Sequence, residues 1–193
     1  TNSVLISASL DKTVKIWDFN KGSLLQTISF PASITHLKLH DDSRLLAIVS
    51  DDLLIKVVDI DSSRIVREFK GHNNRITDLT FSGDGRCIIS ASLDATIRTW
   101  DIPTGFLVDV FKVPQICTSL CMSPSGEFLV TTHVDNVGIC LWSNKSMYAY
   151  VPLKRISEEM ADEIMVGSVG VELPSIAAGL DIEEDSEESL GKA

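Results

Sequence analysis

The sequence predicts an all-β chain, a partial β-propeller of four-stranded antiparallel blades followed by an acidic tail, and three observations carry that prediction. Short runs alternate apolar and polar residues with the period of a half-buried strand. Gly, Asp, Asn, Ser and Pro separate these runs at short, regular intervals. The turn residues Asp11, Asp52, Asp94 and Asp135 lie 41, 42 and 41 residues apart, within the period of about 40–45 that marks propeller blades.

The clearest unit runs from Gly71 to Asp101. Ile76 to Phe81 alternates as a first strand, Ser82-Gly83-Asp84-Gly85 reverses the chain, and Cys87 to Ser92 returns. Leu93-Asp94-Ala95 turns again into Thr96 to Trp100, whose β-branched and aromatic residues suit a strand. Pro103-Thr104-Gly105 then leads to a fourth run, Phe106 to Lys112. The predicted blade spans 76–112.

The other units are judged against this one. SASLDKTVKIWD at 7–18 repeats SASLDATIRTWD at 90–101 almost letter for letter, so residues 1–30 form a blade without its first strand. The chain is therefore expected to be a fragment of a longer protein. In the blade at 34–70, strands are expected near 34–39, 45–50, 54–59 and 64–69. Val58 stands there in place of tryptophan, Pro31-Ala32-Ser33 in place of Gly-His, and Asp59 alone remains of the closing Trp-Asp pair. The blade at 116–153 turns at Ser123-Pro124-Ser125-Gly126 and at Asp135-Asn136, and its Trp142 is followed by Ser143. Trp17, Trp100 and Trp142 share one position in the repeat, which favours a structural role over ligand stacking.

A four-stranded sheet of this size cannot bury both faces alone, so such sheets pack face to face around an axis, about 4–8 to a closed ring. The chain supplies three complete blades and most of another. Its open ends predict poor solubility for this piece expressed alone.

Composition sets further bounds. Hydrophobic residues make up 44% of the chain, enough for a core, no apolar run reaches a membrane span, and a soluble chain is expected. Residues 154–193 hold eleven acidic and three basic side chains, a net charge of -8 out of -10. Ser157 to Val166 has the pattern of a short amphipathic helix starting at Ser157. The run DIEEDSEES at 181–189 reads as solvated and disordered, with an interaction tail for a basic partner, or phosphorylation at Ser186 or Ser189, as its sharper reading.

No residue pattern points to catalysis, a cofactor or a metal. Cys87, Cys117, Cys121 and Cys140 fall inside predicted strands without paired C-x-x-C spacing, so buried thiols in a reducing compartment are expected. Four residues along a strand separate side chains by about 13 Å, which speaks against metal binding by Cys117 with Cys121 or by His36 with His40. His133 ends a second strand, where a packed imidazole and a rim contact both fit. Gly83 and Gly85 fit a hairpin turn, and no phosphate-cradling loop or activated nucleophile accompanies them. Arg64, Arg67, Lys70 and Arg75 form a candidate phosphate-contacting patch, auxiliary in a blade region with 14 basic and 16 acidic residues. The alternative is a solvated blade edge.

Gly71-His72 at the start of the reference unit and Trp100-Asp101 at its end resemble the WD-repeat family. That resemblance implies a buried hydrogen-bond relay of His72, Ser90 (or Ser92), Asp94 and Trp100. Asp11, Trp17, Asp18, Asp52, Asp59, Asp101, Asp135 and Trp142 hold matching signature positions in the repeats. The alternative for His72 and Asp94 is an exposed turn pair. More closely, SPSGEFLVTTHVDNVGICLWSNKSMY at 123–148 and TWDIPTG at 99–105 resemble the second propeller of the tandem WD-repeat subunit of UTP-B, a subcomplex of the small-subunit processome. That resemblance covers residues 1–153. It implies a non-enzymatic nucleolar scaffold that joins other UTP-B WD-repeat subunits on the precursor ribosomal RNA and the U-three small nucleolar RNA, with no small-molecule substrate and no membrane. The competing expectation is a different adaptor, such as a ubiquitin-ligase substrate receptor.

Overall fold

The computed structural model describes residues 4–40, 42–151 and 153–167 of the chain. Fourteen strands among them form four antiparallel sheets, each built from consecutive strands. The first sheet contains β1 (Val4–Ala8), β2 (Thr13–Asp18) and β3 (Ser23–Ser29). The second contains β4 (Ile34–His40), β5 (Leu45–Ser50), β6 (Ile55–Asp59) and β7 (Arg64–Phe69). The third contains β8 (Ile76–Phe81), β9 (Cys87–Ser92), β10 (Thr96–Asp101) and β11 (Phe106–Lys112). The fourth contains β12 (Cys117–Met122), β13 (Phe128–His133) and β14 (Ile139–Ser143).

Alternation along each strand sends apolar side chains to both faces, and neighbouring sheets bury those faces against each other. Val14 and Ile16 of the first sheet meet Leu46, Ile48 and Val58 of the second. Val49, Val57 and Phe69 of the second meet Leu79, Ile88 and Trp100 of the third. Ile89, Ala91 and Ile97 of the third meet Leu120 and Leu129 of the fourth. The core is thus three successive seams rather than one centre, as in a partial WD-repeat propeller. At the two ends the outward faces stay open, with Leu25 57% exposed on the first sheet and Ile139 56% on the fourth.

The inner strands β4, β8 and β12 carry a register shift at one shared place, between Ile34 and His36, Ile76 and Asp78, and Cys117 and Ser119. Such a bulge re-aims the side chains beside it. Thr77 Oγ1 thereby donates to the Cys117 carbonyl at 2.7 Å, and Asp78 Oδ2 accepts from Ser119 Oγ at 2.6 Å and Leu120 N at 2.9 Å. Adjacent inner strands are laced together at the hub. Farther out, Arg67 of β7 donates from Nε to the Ile102 carbonyl at 2.9 Å and from Nη2 to the Pro103 carbonyl at 2.7 Å, joining the second sheet to the third.

Two glycines permit close approach between turns. A Cβ on Gly83 would lie 2.9 Å from the backbone nitrogen of Gly126 in the next sheet. Gly85, at φ +67, holds the turn in a left-handed conformation beneath the His40 ring, where a Cβ would come within 2.5 Å of an imidazole carbon.

Two expectations are corrected here. The blade at 116–153 was expected to be complete, yet among the described residues it has three strands. Asn144 Oδ1 accepts from Ser146 N at 3.1 Å and Ser146 Oγ at 2.7 Å, starting a 3₁₀ turn at Lys145–Met147 where a fourth strand would begin. The segment after Leu153, expected to be a linker or tail, packs back on the third sheet; the short helix expected from Ser157 is present as α1 (Glu158–Gly167), with Ser157 Oγ accepting from Met160 N at 3.2 Å. The charge run at 181–189 and its serines lie outside the described residues.

Candidate functional site

The groups that could do chemistry in the third sheet are spent on one another. Trp100 Nε1–H donates to Ser90 Oγ at 2.9 Å, and the Ser90 hydroxyl donates to His72 Nε2 at 2.7 Å. His72 Nδ1–H donates to Asp94 Oδ2 at 3.0 Å, so the neutral imidazole passes one hydrogen bond along from each nitrogen. Asp94 also accepts from the backbone of Asn73 and Thr96, each at 3.0 Å, and from Thr96 Oγ1 at 2.6 Å. The Arg98 guanidinium stands 4.0 Å away. Ser92, the alternative relay member, donates to the Asn74 carbonyl at 2.9 Å.

Burial pushes the His72 imidazole below its ordinary value, with the Asp94 carboxylate pulling the other way. Burial by itself would raise Asp94, but hydrogen bonds from His72, Thr96 and Asn73 hold its carboxyl well below the usual carboxylate range. The outcome is a neutral imidazole bound to a permanent carboxylate. With the Ser90 hydroxyl donating to the ring and accepting from the indole, it is a satisfied buried network rather than an activated nucleophile.

Each other sheet meets the same requirement with different residues. In the first, Trp17 Nε1 donates to Ser7 Oγ at 3.0 Å, and Asp11 Oδ1 accepts from Thr13 N at 2.9 Å and Thr13 Oγ1 at 2.6 Å. In the second, where Val58 replaces the indole, the Lys56 ammonium is buried and donates to Ser50 Oγ at 3.2 Å and Asp52 Oδ2 at 3.0 Å. Ser50 Oγ completes the ring by donating to Asp52 Oδ1 at 2.6 Å. Here an ammonium stands in for the imidazole as donor to the turn aspartate.

The fourth sheet departs furthest. Trp142 Nε1 donates to Thr131 Oγ1 at 2.8 Å, the Thr131 hydroxyl donates to His133 Nε2 at 2.8 Å, and His133 Nδ1 donates to the Gln115 carbonyl at 2.9 Å. A carbonyl only accepts, which fixes the tautomer. Asp135, which matches Asp94 in the repeat, sits exposed at the turn tip outside this chain of bonds. No histidine precedes the sheet, so the imidazole comes from the end of β13. The packed-imidazole alternative for His133 is the arrangement present.

The aspartates that end β2, β6 and β10 have a separate task. Asp101 Oδ1 accepts from Arg86 Nε at 2.7 Å, and its Oδ2 accepts from Thr104 N at 3.1 Å and Thr104 Oγ1 at 2.5 Å. Asp59 accepts from Ser62 Oγ at 2.6 Å, and Asp18 from Asn20 N at 3.0 Å. Each pins the turn into the fourth strand.

The basic patch does not converge on one point. Arg64 begins β7 and Lys70 follows its last residue, a separation of about 20 Å along a strand. Arg67 lies between them with its guanidinium committed to the carbonyls of Val66, Ile102 and Pro103. Arg75 is exposed in the loop before β8. The thiols also divide: Cys117 and Cys140 are buried and Cys87 half-buried, while Cys121, on the opposite side of β12 from Leu120, is exposed, correcting the expectation of four buried thiols. Burial pushes the Cys117 thiol up to about 12. Among the described residues no group of His, Cys, Asp or Glu is placed to hold a metal ion.

Sequence reasoning missed Lys56 and Thr131, and left His133 open between a packed imidazole and a rim contact. A lone lysine in the apolar strand IKVVD, and Thr131 with His133 two residues apart on one face of β13, were the available signals.

Comparisons with known proteins agree with this architecture. Residues 1–166 match the family model described as the WDR36/Utp21 second beta-propeller domain. The chain is 45% identical over 189 residues to the U3 small nucleolar RNA-associated protein 21 homolog of Schizosaccharomyces pombe, covering 97% of this chain and 21% of that protein. It is 39% identical over 186 residues to WD repeat-containing protein 36 of Homo sapiens, covering 96% and 20%. It is 43% identical over 170 residues to the U3 small nucleolar RNA-associated protein 21 of Saccharomyces cerevisiae, covering 88% and 18%. The chain thus spans about a fifth of the length of these relatives. With four consecutive sheets, their recurring relays and a family match over most of its length, the chain belongs to the WDR36/Utp21 family as part of its second β-propeller domain.

Proposed function

We propose that this chain is a structural segment of a ribosome-biogenesis scaffold, acting in the small-subunit processome rather than as an enzyme. The observation that carries the proposal is the family match over residues 1–166, together with relatives named for association with U3 small nucleolar RNA. The relay geometry supports it, because His72, Ser90 and Asp94 are each saturated by partners inside the sheet. In this reading the whole protein joins other UTP-B WD-repeat subunits on precursor ribosomal RNA in the nucleolus, with most contacts through protein and with no small-molecule substrate. A rigid arc of sheets with turns on both rims suits such a role.

Affinity capture of the full-length protein tests it. The expected result is co-purification of the other UTP-B subunits and U3 RNA, with 18S precursor processing failing on depletion. Recovery of ubiquitin-ligase adaptor subunits in their place would overturn the proposal in favour of a substrate receptor.

A further inference from the structure

After the 3₁₀ turn the chain runs back across the third sheet instead of adding a strand to its own. Ile156 N–H donates to the Leu107 carbonyl at 2.8 Å, which ties it to the beginning of β11. The Arg155 guanidinium lies 4.6 Å from the centroid of Phe106, a cation–π contact. Within α1, Ala161 is 1% exposed and shares an apolar cluster with Phe69, Trp100 and Leu107. The helix is therefore seated at the outer end of the seam between the second and third sheets.

That seat is complementary to the helix, yet only partly filled by it. Lys70 and Arg98 line the cavity beside the first turn of α1, and Glu158 and Glu159 of that turn line it from the other side. The cavity has a volume of about 420 Å³ and reaches Trp100, Phe106 and Leu107. A methyl group is all that Ala161 contributes to the core. Among the described side chains, Ala161 and the partly buried Ile156 anchor the segment on the apolar cluster, together with the Ile156 backbone hydrogen bond and the Arg155 cation–π contact.

We propose that this groove is a docking site for an acidic amphipathic helix, which α1 fills in cis and which a similar helix of a partner protein enters when α1 lifts. Helix-in-groove recognition needs an apolar floor and charge complementarity at its edge, and the floor of Trp100, Phe106 and Leu107 with Lys70 at the edge supplies both. Occupancy by α1 lowers the apparent affinity for the incoming helix in proportion to the fraction of time the groove is closed.

A fluorescent peptide of residues 154–167, titrated into the full-length protein, tests the proposal. Ala161→Glu in the protein, with the peptide left unchanged, should tighten peptide binding about tenfold or more by emptying the groove. Lys70→Glu, at an exposed position outside the core, should weaken binding severalfold and reduce its dependence on salt. On the unmodified protein, the Ile156 amide should exchange its hydrogen faster than the amides of β10. Equal affinity for wild type and Ala161→Glu, binding indifferent to Lys70→Glu, or an Ile156 amide as protected as β10 would each overturn the proposal.

Discussion

Thr131 and His133 stand two residues apart on one face of β13, and their side chains meet at 2.8 Å. Together they rebuild, from within a single strand, the relay that the third sheet assembles from a preceding loop, a strand and a turn. The fold conserves the need to satisfy a buried indole N–H, not the identity of the groups that do so.

Matched substitutions separate position from chemistry. Asp94→Asn should cost about 1–3 kcal/mol, because it removes the carboxylate that accepts from His72, Asn73 and Thr96 at a buried turn. Asp135→Asn, at the matching but exposed position, should change stability by less than about 0.5 kcal/mol. Chemical denaturation of the full-length protein, followed by Trp fluorescence, measures both.

Thr131→Val should destabilise by about 1–3 kcal/mol, since it leaves the Trp142 N–H without its acceptor and His133 Nε2 without its donor. The indole proton of Trp142 should exchange faster in this variant while that of Trp100 keeps its wild-type rate. Equal acceleration at both would show that the relays are not independent.

Trp100→Ala should cost about 3–5 kcal/mol through lost burial and the cavity left beside Phe69. A melting temperature within error of wild type would contradict the buried relay.

The third-sheet relay also predicts how stability depends on pH. His72 has its folded value lowered from 6.5, so the unfolded chain binds more protons there and stability falls as pH drops below about 6.5. Asp94 is lowered from 3.8, and its contribution, present above that value, is lost in more acid solution. Urea midpoints measured between pH 8 and pH 5 should decline in wild type and stay flatter in His72→Gln once its own destabilisation is subtracted.

Gly83→Ala should destabilise by about 1–3 kcal/mol, because its Cβ would press on the Gly126 backbone, which cannot rotate away. Gly126→Ala meets only ordinary contacts at 3.7 Å but must hold φ +75, so its cost should come from the backbone alone. Melting temperatures of the two single variants, measured alongside the double, show whether the penalties add.

The strands and their order were legible in the sequence because period-2 alternation and turn chemistry are local signals. The spacing of Asp11, Asp52, Asp94 and Asp135 gave the repeat. What could not be read was any contact between one sheet and another or between α1 and the sheets. Ala161 carries no mark of burial in an acidic stretch, and Arg67 looks like a surface cation until its guanidinium is seen across the seam. The fourth sheet misled for a related reason: the repeat length left room for a fourth strand before residue 153, but Asn144 commits the chain to a 3₁₀ turn first. The relay substitutes Lys56 and Thr131 were hidden because pattern matching looks for the same residue at the same place, whereas hydrogen bonding accepts any group of suitable reach.

The concealed ammonium of Lys56 gives the molecule an internal reporter. Acylating reagents and amine cross-linkers, which label Lys12, Lys38 or Lys70 from bulk solvent, find that nitrogen only when the second sheet parts from its neighbours. Its modification therefore times the opening of one wedge in a ring whose other wedges remain shut.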